Sequence, residues 1–93
     1  PELALRIRDV ADDEHVTAAK LAAVIATDAG LTTRLIRVAN SPLYRGVQQI
    51  DSLDLALSRI GLRPAANLAL GMAMEQLFQA TSEFIDRKLR LTW

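Results

Sequence analysis

Apolar positions recur along the chain at spacings of three and four residues, and no alternating strand pattern bounded by hairpin turns occurs. Leu3, Ile7 and Val10 fall at i, i+4 and i+7 and predict a first helix over residues 2–10, with Pro1 tolerated at its opening. Arg6 and Arg8 lie off that stripe, and Asp12-Asp13-Glu14-His15 reads as a polar connection. Thr17 is placed to cap a second helix running to Thr27, with Leu21, Val24 and Ile25 inward and Ala18 and Ala22 allowing close approach. Asp28 is placed as the N-cap of a third helix over 29–40. There Leu31, Leu35 and Val38 repeat the same stripe, flanked by Arg34 and Arg37.

Ser41-Pro42 breaks the pattern, because proline pushes the residue before it out of helical geometry. Residues 41–51 then form the one long loop, with Tyr44 and Gly46 inside it and Gly46 expected at positive φ. Asp51 or Ser52 caps a fourth helix through Ile60, with Leu53, Ala56, Leu57 and Ile60 inward. Gly61 stands where a left-handed C-terminal residue is expected. A fifth helix is predicted from Arg63-Pro64 to Gln79. Leu68, Leu70, Met72, Met74 and Leu77 surround it, which suggests a central, buried helix, and Gly71 suggests a close helix contact. Thr81 or Ser82 is then expected to cap a last helix toward Trp93, with Ile85 and Leu89 inward. The fold class is all-α, a bundle of five to six helices forming one domain.

Composition narrows the function. The 93 residues are 51% apolar, which excludes intrinsic disorder. Eleven basic and eleven acidic residues leave no net charge, which argues against a general nucleic-acid binder and against a polybasic membrane module. Without cysteine there is no disulfide framework and no thiolate zinc site, and the expected compartment is the cytoplasm. The longest nearly apolar run, residues 68–74, is far shorter than the ~20 residues a membrane span needs. His15 is the only imidazole and sits among acids, where it reads as a solvated loop residue. The four glycines, at 30, 46, 61 and 71, make no phosphate-binding loop, and no Gly-x-Ser-x-Gly elbow is present. Asp12, Asp13 and Glu14 lack the calcium-loop pattern. No catalytic or metal-ligating set emerges, and no cofactor is expected. Ala26, Gly30 and Ile36 do fall at helix-turn-helix spacing, which would turn Arg34, Arg37 and Asn40 toward DNA. Against that, the proposed recognition helix also carries the strongest core stripe, so nucleic acid is not the expected partner.

Residues 27–41, Thr-Asp-Ala-Gly-Leu-Thr-Thr-Arg-Leu-Ile-Arg-Val-Ala-Asn-Ser, resemble the signature of the HDOD family, the HD-related output domains. That family shows Asp-Pro-x-Leu-Thr followed by an Arg-Leu-Leu-Arg-like helix ending in Ala-Asn-Ser. Gly46, the block from Ser52 to Gly61 and the segment from Asn67 to Leu70 match further family positions in order and spacing. Ala29 departs from the family's proline and Pro64 replaces an ordinary helix former, neither at a cost to the fold. The resemblance implies a non-catalytic bacterial signalling module that works through protein contacts, in company with receiver or cyclic-di-GMP turnover domains. It also implies that this chain is the N-terminal lobe of a domain about twice its length. The alternative is the supporting lobe of a metal-dependent HD-type phosphohydrolase.

Within the signature, Asp28, Leu31, Arg34, Asn40, Ser41, Gly46, Ser52, Gly61 and Asn67 are expected to fix caps and loops. Asn40 would do so through a left-handed backbone or a bond to nearby backbone, and Arg34 through a loop carbonyl or a carboxylate. Tyr44 and Arg45 are the candidate partner surface. The helices after Gly61 are expected to expose apolar surface and to mediate self-association, with exchange of the terminal helix as one route.

Overall fold

The computed structural model describes residues 2–44, 46 and 48–92. Pro1 at the opening of the first helix, Arg45 in the loop and Trp93 at the end of the last helix lie outside the described residues. Five α-helices follow one another: α1 (Glu2–Asp12), α2 (Ala18–Ile25), α3 (Ala29–Ala39), α4 (Leu53–Ile60) and α5 (Leu62–Thr92). No strand occurs among the described residues.

Three helix starts are set by the capping side chains. Thr17 accepts a hydrogen bond from the Lys20 N–H, Asp28 from Leu31 at 2.8 Å and Ser52 from Leu55 at 3.3 Å, each with extended backbone at the cap. Each cap satisfies one of the amides that a helix start leaves without an intrahelical partner. Gly61 ends α4 at φ 99°, ψ 145°, a positive φ but not the left-handed helical value expected. Its carbonyl accepts from the Ala65 N–H, so α5 begins one residue on. A side chain there is strained wherever it points, because L residues avoid this region.

Most of the expected stripe residues form the core: Ile7, Leu21, Val24, Ile25, Leu31, Leu35, Ala56, Leu57 and Ile60 are buried, while Leu3, Val10 and Leu53 are half-buried at its edge. Val38 is only half-buried, because Ala39 takes the inward position at the end of α3, and Ala18 is exposed. The face that α5 buries consists of Ala65, Ala66, Ala69, Met72 and Ala73, and it packs chiefly on α1. Small side chains let the two helices approach closely. The large apolar residues expected to centre α5 in the bundle are less enclosed: Leu68 and Leu70 are half-buried, and Met74 and Leu77 are exposed. A Cβ at Gly71 would meet nothing within 4 Å, so this glycine marks no close helix contact.

The expected break near Thr81 and Ser82 is absent, and Ile85 and Leu89, expected inward, are exposed. The Thr81 hydroxyl instead donates to the Leu77 carbonyl one turn back at 2.9 Å, and α5 runs on as a 31-residue helix. Past Gln76 it leaves the bundle as an arm. The radius of gyration is 15.4 Å and the long axis 55 Å, where a compact chain of this length would have a radius of ~12 Å.

Candidate functional site

The signature residues converge where α3 hands the chain to the 41–51 loop. Asn40, at the end of α3, keeps helical backbone (φ −92°, ψ −1°) rather than the left-handed form. Its side chain bonds the far end of the loop twice. The amide donates to the Ile50 carbonyl at 2.8 Å, and the side-chain carbonyl accepts from the Ile50 N–H at 2.7 Å. One asparagine thus supplies both groups that a neighbouring strand would otherwise provide. Ile50 is held with its side chain buried in the core. Ser41 acts through its backbone, its carbonyl accepting from the Tyr44 N–H.

Arg59 on α4 fixes the middle of the loop. Nη2 donates to the Gln48 carbonyl at 2.8 Å, and Nη1 is buried without a hydrogen-bond partner among the described residues. The guanidinium lies against Gly46, where a Cβ would come 2.8 Å from Nη2 and 3.1 Å from Cζ. Gly46 therefore serves by leaving space for the guanidinium; its φ turns on Arg45 and lies outside the described residues, while Gly61 takes a positive φ. Gly46→Ala is expected to displace the guanidinium and cost about 1 kcal/mol, the net worth of the Arg59 bond in this exposed setting. Arg59→Ala should cost a similar amount, and the double variant little more than either alone. Strictly additive losses in thermal unfolding would show that the two residues do not share one contact.

Arg34 reaches a carboxylate, as one of its two expected routes. It pairs with Glu75 on α5 at 3.2 Å, with both side chains partly exposed. Arg63, at the start of α5, donates to the Ala11 carbonyl at the end of α1. A cleft of about 260 Å³ between α3 and α5 is lined by Arg34, Arg37, Val38, Ser41 and Met72. Arg34 and Asn40, two of the three side chains a helix-turn-helix would offer to DNA, are thus engaged within the fold. Asn67 is exposed on α5, apart from this cluster and without a hydrogen bond to any described residue.

Within the loop, Tyr44 is half-buried and packs against the core, while Leu43 is 81% exposed. Leu43 is therefore the more prominent surface residue, and the sequence offered only its place beside Pro42 as a signal. Arg59 and Glu75 also went unnoticed in the sequence, because their partners lie 11 and 41 residues away.

The acidic connection is a solvated turn. The His15 N–H donates to the Asp13 carboxylate at 2.9 Å and holds that carboxyl below its usual range, with Lys20 adding to the effect at 3.7 Å. Any stability this carboxylate adds is present above the unfolded carboxyl's pKa and lost as pH falls through the lowered value. Among the described residues no three His, Asp or Glu side chains come together as a metal-ligating group. No described helix is long and apolar enough to cross a membrane.

Helices capped by signature residues, with a loop pinned from both α3 and α4, define a small all-helical scaffold. The family model of the HDOD domain matches residues 1–93, and the chain belongs to the HDOD family. A solved structure from Shewanella amazonensis SB2B, described as a candidate metal-dependent phosphohydrolase, is similar over 84% of this chain at 37% identity and a TM-score of 0.74. The match covers 28% of that longer chain. Among curated proteins, none matches significantly.

Proposed function

We propose that this chain is a non-catalytic regulatory module of the bacterial cytoplasm, acting through protein contacts. The observation that carries this reading is how the signature is employed. Asp28 and Ser52 cap helices, and Asn40 and Arg59 hold the backbone of the loop. Polar groups engaged in this way are not available to a substrate, whereas the loop they hold presents Leu43 to solvent. The partner is accordingly a protein, of the receiver or cyclic-di-GMP turnover kind that HDOD modules accompany.

The supporting-lobe reading draws on the description of the Shewanella protein, of which this chain matches only a part. An assay on this chain tests the non-catalytic reading; the supporting-lobe reading expects turnover only in the full-length protein, where the rest of the domain would supply the metal ligands. The purified chain is incubated with phosphate mono- and diesters in the presence of Mg²⁺ or Mn²⁺. No turnover above that of buffer is expected. Turnover that is lost in Asp12→Ala/Asp13→Ala or His15→Ala variants would overturn the non-catalytic reading.

A further inference from the structure

The chain is neutral as a whole, yet its charges are segregated. No acid occurs between Asp28 and Asp51 or between Asp54 and Glu75, and these two stretches carry Arg34, Arg37, Arg45, Arg59 and Arg63. Arg59 donates to the Gln48 carbonyl, Arg63 to the Ala11 carbonyl, and Arg34 pairs with Glu75. Arg37 makes no hydrogen bond or ion pair with any described residue.

Arg34, Arg37, Val38 and Ser41 fall at i, i+3, i+4 and i+7, one face of α3 continued into the turn that follows it. That face forms one wall of the cleft of about 260 Å³, and Met72 of α5 lies on the other. The two arginines stand one helical turn apart. Glu75 takes a single N–H of Arg34, at Nη2, and the other N–H groups of that guanidinium bond no described residue. The pair steadies the Arg34 side chain, which is 38% exposed. The Ser41 hydroxyl is also unengaged among the described residues, since this residue bonds through its backbone.

We propose that this cleft binds the phosphate group of a small phosphate monoester. A carboxylate has two oxygens in one plane and is satisfied by a single guanidinium fork. A phosphate ester presents three terminal oxygens and up to two negative charges, enough to engage both arginines and the Ser41 hydroxyl together. Glu75 offsets part of the charge of Arg34, so Arg37 supplies the larger share of the attraction. Val38 and Met72 give the organic part an apolar surface. The cleft falls just below the ~300–1,000 Å³ of drug-sized pockets, which limits that part to a few atoms. The carbonyl end of α3 disfavours an anion, so the attraction rests on the arginine side chains and not on the helix. The site uses none of the side chains that cap helices or hold the loop. It therefore goes beyond the protein-contact reading and does not depend on it.

Titration of the ¹⁵N-labelled chain with glycerol 1-phosphate at constant ionic strength, followed through the amide and arginine Nε–H signals, tests this. Saturable shifts at residues 34–41 and 72 are expected, with a Kd on the order of 1 mM, and acetate should bind at least tenfold more weakly. Arg37→Gln should weaken binding about tenfold, and because Arg37 is exposed the bundle stays intact by circular dichroism. Arg8→Gln, at an exposed position on α1, is the control and should change nothing. Arg34→Gln and Glu75→Gln break the same ion pair but should act in opposite directions. The first should weaken binding about tenfold, and the second, by removing a nearby negative charge, should tighten it about two- to threefold. A loss in both would show that Arg34 acts only by seating α3 on α5 and would overturn the proposal. So would acetate binding as tightly as the ester, or shifts of equal size at Arg6 and Arg8. A phosphoserine peptide that binds more than tenfold more tightly than glycerol 1-phosphate would overturn the small-molecule assignment in favour of a phosphorylated protein.

Discussion

Replacing Asn40 with alanine is expected to lower the unfolding free energy by about 2–4 kcal/mol, because it leaves the Ile50 N–H and carbonyl without partners beside a buried side chain. In a domain of this size that corresponds to a fall in Tm of about 4–8 °C for each kcal/mol. Asn40→Asp separates the two bonds. It retains the acceptor for the Ile50 N–H but sets a carboxylate oxygen against the Ile50 carbonyl, so it should rescue less than half of the loss. The Ile50 amide, hydrogen-bonded to the Asn40 side chain, should exchange slowly in the parent and faster in both variants. Slow exchange retained in Asn40→Ala would show that the loop is held by other contacts.

Leu35→Ala is expected to cost about 3–5 kcal/mol, the upper part of the range for emptying an enclosed leucine site. Leu35 is completely buried on α3, the helix that packs against both α4 and α5. The core that α3 packs against comes from separate helices, with Ala56 and Leu57 buried on α4 and Ala69 on α5, so it has little freedom to collapse into the space. Small domains have total stabilities of about 5–10 kcal/mol, so the variant should sit near the edge of folding, with urea midpoint and Tm both sharply reduced. A loss below about 1.5 kcal/mol would mean that the site repacks freely. An exposed leucine such as Leu43 is the control, where truncation should change stability by less than about 0.5 kcal/mol.

Features governed by near neighbours in the chain were legible in the sequence. Thr17, Asp28 and Ser52 cap helices through amides three residues away, and the stripes on α2 and α3 need only the helical period. The family signature likewise located the α3–loop corner. What escaped the sequence was set by distant partners or by competition between local signals. Thr81 and Ser82 are good caps, but without a glycine or proline after Gly71 nothing stops the helix, and the Thr81 hydroxyl finds the Leu77 carbonyl instead. Gly46 and Gly71 look alike in a sequence; the structure gives the first to an arginine side chain and the second to open space. Arg59 reads as an ordinary helical residue until the loop folds back over it.

The continuity of α5 gives the molecule a lever. Its 31 residues make a rod of about 46 Å, clamped to α1 through the Arg63 tie at one end and to α3 through Glu75 near the middle. No hinge lies between the clamped part and the free part, so a load applied near Leu91 is not absorbed at Thr81. It arrives as torque at Glu75 and as sliding of the alanine face over α1. The Arg34–Glu75 pair is then the fulcrum, and because it is partly exposed and salt-screened, it adds only a small, salt-dependent share to a seat made chiefly by the buried face of α5 on α1.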